Sequence, residues 1–290
     1  MNGPLVRLAV VIPAGPADDV VDTLRSVLRY TSSPRAVVVV DDTGRDMRDV
    51  LEAMSPEVHV LAAPPHAPGG FGGLWVKIAF GYKYVAERCS FDVLLRLDAD
   101  ALMIGDGLPD LAGAYFATNP GVGMLGSYRT GADGATRDWA PAARMLRRER
   151  GLRGLDQPKT RRLLRRLYAS ARAQGYLPGE HALGGAYLHS RAAVLAIHER
   201  GWLCLDDLAP SRLGEDHIFG LLTRAAGFAI ADFGGPDGPL ALRWKGLPSA
   251  PEELLLQGKL VTHSVRSWPG LSEQEIRKKF ADARGTSSIA

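Results

Sequence analysis

Apolar residues follow two rhythms along this 290-residue chain. Largely aliphatic runs at 6–12, 36–40, 58–61 and 93–97, interrupted only by Arg7, His59 and Arg96, have the length and β-branched content of strands buried on both faces. Between them the spacing becomes helical. Val20, Val21, Leu24, Val27 and Leu28 recur behind the capping residues Asp18 and Asp19. A second helical pattern covers 47–54, and a third covers 74–87, with Trp75, Ile78, Ala79, Tyr82 and Val85 on one side. Strand, helix, strand in repetition calls for right-handed parallel crossovers, so the chain is expected to be α/β, with a mostly parallel doubly wound sheet and helices on both faces. Further on, the pattern predicts a helix at 108–118, a fifth strand at 121–126, a basic helical segment, and a strand hinged on Gly184 and Gly185. Helices at 192–200 and 218–226, a strand-like run at 259–266 and a last helix at 272–283 complete the chain.

Polar residues cluster where these strands end. Pro13 follows the first, Asp41 and Asp42 the second, and Asp98-Ala99-Asp100 the fourth. Open α/β sheets bind ligands outside the carboxyl ends of their strands. Two carboxylates one residue apart on a tight turn can both approach a hard divalent cation and leave positions for water and phosphate oxygens. The stretch 62–73 holds three prolines and four glycines, among them Gly70 and Gly73, and reads as a loop. A helix carrying Lys77 follows it, a phosphate-cradling order, although neither a dinucleotide fingerprint nor a P-loop signature is present. Glu215 and Asp216 open the helix at 218–226. Acids there complement the helix dipole, and one aimed into a cleft is a candidate general base.

Composition narrows the class. Hydrophobic content of 46% and charged content of 23% suit a folded core. Cys89 and Cys204, with no Cys-x-x-Cys pair, indicate neither a disulfide scaffold nor a structural zinc, so a cytoplasmic setting is expected. The first residues carry no secretory-type leader pattern, and no apolar run approaches the roughly 18 residues of a spanning helix. The net charge of +3 is unevenly spread: residues 144–172 hold ten arginines and one lysine against Glu149 and Asp156, a local +9 that leaves −6 for the rest. Such a segment suits a solvated face, peripheral contact with an anionic membrane, or an acidic acceptor. No aromatic platform accompanies it, so specific nucleic-acid binding is not expected.

The order of these features resembles the family 2 glycosyltransferases of the GT-A fold, over roughly residues 6–232. The resemblance implies that Pro13 and Asp41 or Asp42 line a nucleobase pocket, with an Asp accepting from a uracil imide N–H, and that Gly70, Gly73 and Lys77 lie along the donor. Lys77 stands where that family usually has an arginine. It further implies that Asp98 faces the ribose or a metal-bound water, that Asp100 ligates Mn²⁺ or Mg²⁺ with His263 completing the shell, and that Gly184 and Gly185 leave room for sugar and acceptor. Asp216, with Glu215 beside it, would be the base. On this reading residues 1–126 form a donor half, 127–180 a basic insertion and 181–290 an acceptor and catalytic half of one domain. A UDP-sugar would be the favoured donor, and the acceptor could be a small molecule, a lipid-linked intermediate, a peptide or a glycan. Inversion is expected; a retaining enzyme with the same metal site and a non-catalytic sugar- or lipid-binding scaffold are the alternatives. A sugar-phosphate nucleotidyltransferase would need a basic Gly-rich loop after the first strand, and a haloacid dehalogenase-like phosphatase would need its Asp pair there.

Overall fold

The computed structural model describes residues 5–65, 71–203 and 205–286. The chain alternates strands and helices from its start: β1 (Leu5–Ala14), α1 (Val20–Tyr30), β2 (Arg35–Asp41), α2 (Arg48–Glu52), β3 (Val58–Ala62), α3 (Phe71–Arg88), β4 (Ser90–Leu97), β5 (Ala101–Met103), α4 (Leu108–Thr118) and β6 (Val122–Gly126). Two helices without an intervening strand follow, α5 (Ala140–Arg150) and α6 (Pro158–Ala173). Then come β7 (Ala186–Ser190), α7 (Arg191–Glu199), α8 (Leu205–Leu208), α9 (Glu215–Ala225), β8 (Ala229–Asp232), β9 (Leu240–Leu242), α10 (Pro251–Leu256), β10 (Val261–His263), a short β11–β12 hairpin (Ser267–Trp268, Leu271–Ser272) and α11 (Glu273–Thr286).

Seven strands form the central sheet in the order β3-β2-β1-β4-β7-β6-β8, parallel except for β7, which runs against both neighbours. Successive side chains of a strand point to opposite faces. Ala9 and Val11 accordingly enter the core beneath Trp75, Ile78 and Tyr82 of α3, a core that α6, α7 and α9 share. Leu8, Val10 and Ile12 meet Leu24 and Val27 of α1 and Leu108 and Ala112 of α4 on the other face. The sheet is doubly wound, with helices on both faces, as the hydrophobic pattern predicts. A second sheet, β5-β10-β9, lies over a separate core containing Leu102, Leu254, Ile276 and Phe280.

Three sequence expectations change. Of the strand-like run at 259–266 only Val261–His263 is strand, as β10. The reading of 62–73 as loop ends too late, because α3 already begins at Phe71 and Gly73 is a buried helical residue; Gly70 lies outside the described residues. Glycine costs a helix roughly 1 kcal/mol per position, and the buried face of α3, with Trp75 and Tyr82 fully enclosed, outweighs that preference. Helix α9 also starts three residues before the predicted point. Glu215 and Asp216 therefore occupy its first turn, after Gly214 as N-cap.

Candidate active site

Strand direction assembles the site. β4 ends at Leu97 and releases Asp98 and Asp100 at the carboxyl edge of the sheet. Antiparallel β7 begins at that same edge, Leu97 facing Ala186, and the Asp98 N–H donates to the Gly185 carbonyl at 2.8 Å. β10 pairs antiparallel with β5 and sets His263 opposite Ala101, one residue beyond Asp100. Residues distant in sequence thus meet at one corner.

One ligand atom each from Asp98, Asp100 and His263 lies within 4.8 Å of the other two. Outer contacts leave the inner atoms facing each other. Asp98 Oδ1 is bound by Arg96 Nη2 at 2.8 Å, while Asp100 Oδ2 accepts from Ser264 Oγ at 2.7 Å and pairs with Arg266 Nε at 3.3 Å. His263 Nδ1 lies 2.8 Å from the Arg243 carbonyl and donates to it. That turns Nε2 to Asp100 Oδ1, 3.3 Å away, and to Asp98 Oδ2, 3.7 Å away. Two carboxylate oxygens and one oriented imidazole nitrogen suit Mn²⁺ better than Mg²⁺, which prefers oxygen alone, so the residues fit the first of the two cations implied by the sequence resemblance. Burial works against the charged form of Asp100, but His263, Ser264 and Arg266 together hold its carboxyl well below the usual range.

Arg96 is the residue that strand patterning passes over. It sits inside β4 with its side chain fully buried, and the same Nη2 that binds Asp98 lies 2.8 Å from Glu215 Oε1. The guanidinium also faces the Tyr187 ring at 5.4 Å. One cation here serves the partly exposed Asp98 and the buried Glu215, with Asp216 adjacent. Burial, opposed by Arg96 and reinforced by Asp216 and Asp98, pushes the Glu215 carboxyl up to about 8. Glu215 is therefore the acid of the group that keeps a proton near neutrality. Asp216 goes the other way: burial raises it, but His217, the bond from the His217 N–H and Arg96 outweigh burial and keep it ionised.

Asp216 Oδ2 accepts from the Gly184 N–H at 3.1 Å. A side chain on Gly184 would stand 3.4 Å from that oxygen and 3.6 Å from Glu215 Oε1, and one on Gly185, whose φ is +95°, would stand 2.5 Å from the His263 ring. The glycine pair is thus the seam between the Asp98-Asp100-His263 group and the Asp216 group. His181, Asp216 and His217 form a second set of close ligand atoms. This set does not fit a cation: His181 donates through Nδ1 to the Gly179 carbonyl at 2.7 Å, and its Nε2 accepts from Arg137 Nη2 at 2.9 Å. Burial brings the His181 imidazole down to about 4, so it is neutral.

The remaining sequence-predicted residues lie along the same edge. Pro13 is buried in β1 opposite Val40 of β2. Asp41 accepts from the N–H groups of Thr43 and Met47, both at 2.9 Å; these bonds lower its carboxyl against the opposing effect of burial and commit it to its own loop. Asp42 pairs with Lys77 at 3.1 Å. Lys77 Nζ is 4.0 Å from where a Gly15 side chain would begin, Gly15 donates to Asp18 at 2.6 Å, and Arg266 joins Asp18 to Asp100. A chain of neighbouring groups therefore runs from Asp42 to Asp216. On the far side of His263, a cavity of about 440 Å³ is lined by Arg137, Leu183, Leu242, Arg243, Trp244 and Pro248, with Trp244 74% exposed.

Arg266, His181 and Arg137 were not singled out by sequence pattern, because each acquires its meaning only from a partner more than 40 residues away. Arg96 did carry a signal: an arginine inside an otherwise aliphatic buried strand requires a buried counter-charge.

No protein-family model matches the chain, and no curated protein matches it. Among solved structures, the chain is similar to the bifunctional glycosyltransferase WbbM in its apo form, at 11% identity and a TM-score of 0.47, with 98% of this chain and 50% of that one covered. It is also similar to the galactosyltransferase LgtC in complex with donor and acceptor sugar analogs, at 12% identity and a TM-score of 0.48, with 96% of this chain and 95% of that one covered. The chain thus spans about half the length of the first of these proteins.

Proposed function

We propose that this chain is a GT-A-type glycosyltransferase that moves a sugar from a nucleoside-diphosphate sugar, a UDP-sugar in the favoured case, to an acceptor hydroxyl with inversion. The observation that carries the reading is the pairing, across the Gly184–Gly185 seam, of an inward-facing Asp98-Asp100-His263 donor set with an ionised Asp216. Transfer has two electrostatic demands. The leaving diphosphate gains negative charge, and the attacking hydroxyl loses a proton on the opposite side of the anomeric carbon. Asp98, Asp100 and His263 would hold a divalent cation, which would supply the positive charge that a departing diphosphate needs.

The chain's own residues meet the other demands. Arg96 and Arg266 bind the outer oxygens of the two aspartates and orient the inner ones. Lys77, beside Asp42, adds positive charge near the loop that follows β1. Asp216 takes the acceptor proton, which its ionised state permits near neutrality. Glu215, proton-bearing and tied to Arg96, positions the first turn of α9 and leaves the base role to its neighbour. The cavity beneath Trp244, bordered by Arg137 and Leu183, provides room for the acceptor next to Gly184.

Calorimetric titration with UDP, with and without Mn²⁺, tests the donor site. Metal-dependent binding that Asp100→Ala removes is expected, whereas binding indifferent to both metal and substitution contradicts the assignment. Asp216→Asn is expected to lower transfer by about 10³-fold or more while leaving UDP affinity within a few-fold. NMR of the product anomer then reads the stereochemistry. A retained configuration would keep the donor site and reject Asp216 as the base of a single displacement.

A further inference from the structure

The basic segment contributes nothing to the site described above, and its structure divides it into two parts. Helix α6 turns Leu163, Leu164 and Leu167 into the core shared with α9. Its arginines Arg162, Arg165 and Arg166 are exposed, as are Arg147 and Arg148 of α5. Of the two acids, Glu149 is buried and spent on the Ser211 hydroxyl and the Arg212 N–H, both at 2.6 Å, leaving Asp156 as the segment's exposed acid.

Between the helices, the turn at 151–157 presents two leucines to solvent, Leu152 at 82% exposure and Leu155 at 58%. The turn is held firmly. Arg161 and Arg165 donate to the carbonyl of Arg150 at 3.3 and 2.8 Å, the Arg150 guanidinium lies 3.3 Å from the Tyr168 ring centre, and any side chain on Gly154 would collide with the Glu149 carbonyl. Beside it is a cavity of about 120 Å³, lined by Arg148, Arg161, Arg212 and Thr160 with Glu149 and Asp156. Isolated exposed leucines are unremarkable. Two at one rigid tip, flanked by exposed arginines and a small guanidinium-lined cavity, have the chemistry of an interfacial anchor: apolar prongs for the acyl boundary and cations for headgroup phosphates.

We propose that the 151–157 turn is a docking surface for an anionic lipid bilayer, with Leu152 and Leu155 entering the interface and the flanking arginines holding lipid phosphates. No helix among the described residues is long and apolar enough to cross a membrane, so the contact is peripheral. It stands independently of the glycosyl-transfer reading.

Co-sedimentation of the full chain with phosphatidylserine-containing vesicles, against pure phosphatidylcholine vesicles, tests it. Binding is expected with the anionic vesicles alone. It should be released on raising salt from about 0.1 to 1 M, where the screening length falls from about 10 to 3 Å. Leu152→Asp combined with Leu155→Asp should weaken partition at least about tenfold, with circular dichroism and metal-dependent UDP binding unchanged because both positions are exposed. Failure to bind anionic vesicles, equal binding to neutral vesicles, or undiminished binding by the double variant would each overturn the proposal. An adventitious polyanion surface would instead show single-stranded RNA competing fully with vesicles and the leucine variant binding as well as the parent.

Discussion

Arg96 and His189 show how much a single buried polar residue controls. Arg96 compensates Asp98 and Glu215 from a fully buried position. Removing one member of a buried ionic cluster costs about 3–5 kcal/mol because the charges left behind have no counter-ion. Arg96→Met should therefore lower unfolding stability by that amount in denaturant titration. Adding Asp98→Asn should recover part of it, since the abandoned Asp98 carboxylate is then replaced by a neutral amide. Strictly additive losses in that double-mutant cycle would show that the two side chains do not interact.

His189, on β7, sits between the Tyr82 hydroxyl at 2.9 Å and the Thr223 hydroxyl at 3.1 Å, and burial brings its imidazole down from 6.5 to about 3. Above pH 6.5 the ring is neutral in folded and unfolded chains and adds no pH dependence. Between 6.5 and about 3 the unfolded chain binds a proton that the folded one refuses, so stability falls with pH by roughly 1.4 kcal/mol per unit from this residue. His189→Gln should make the decline between pH 6 and 5 shallower by about that slope. An unchanged slope would mean that His189 is protonated in the fold.

At the scale of elements, β7 and β10 make the site. Their reversal against β4 and β5 carries Gly184, Gly185 and His263 to the edge where Asp98 and Asp100 emerge. Gly185 is the tightest point, since its φ of +95° and its 2.5 Å clearance to the His263 ring both exclude a side chain. Gly185→Ala should displace His263 and reduce Mn²⁺ affinity by roughly 10- to 100-fold, as disturbance around metal ligands does. Isothermal titration with Mn²⁺ measures this directly, and wild-type affinity in the variant would remove His263 from the shell. The longer strands β1 to β4, β6 and β7 and most helices were legible in the chain because each carries an apolar run or a periodic apolar face, whereas β5, β8 and β9, three or four residues long, were too short to leave one. The reversal of β7 was not legible, because the direction of a short aliphatic strand leaves no mark in its composition.

The whole molecule is a doubly wound sheet whose carboxyl edge gathers charge and whose basic helices stand apart from it. A ligand that binds only the folded state raises its stability by RT ln(1 + [L]/Kd), about 2.7 kcal/mol at 100 times Kd. UDP with Mn²⁺ should therefore raise the thermal midpoint by about 5–11 °C, taking roughly 2–4 °C per kcal/mol for a large domain. UDP with a chelator should not. A shift that ignores the metal would argue against the Asp98-Asp100-His263 site.

The pattern of the chain by itself determined the α/β class, the strand-helix alternation and the position of Asp98 and Asp100 at a strand's end, because local periodicity reports burial and strand ends report where ligands can reach. It also marked residues 144–172 as basic. Tertiary structure alone decided that Arg96 binds both Asp98 and Glu215, that Glu215 keeps its proton while Asp216 loses it, and that Leu152 and Leu155 project from the basic turn. Those properties depend on which distant groups share a low-dielectric volume and which face water, and neither is encoded in spacing along the chain.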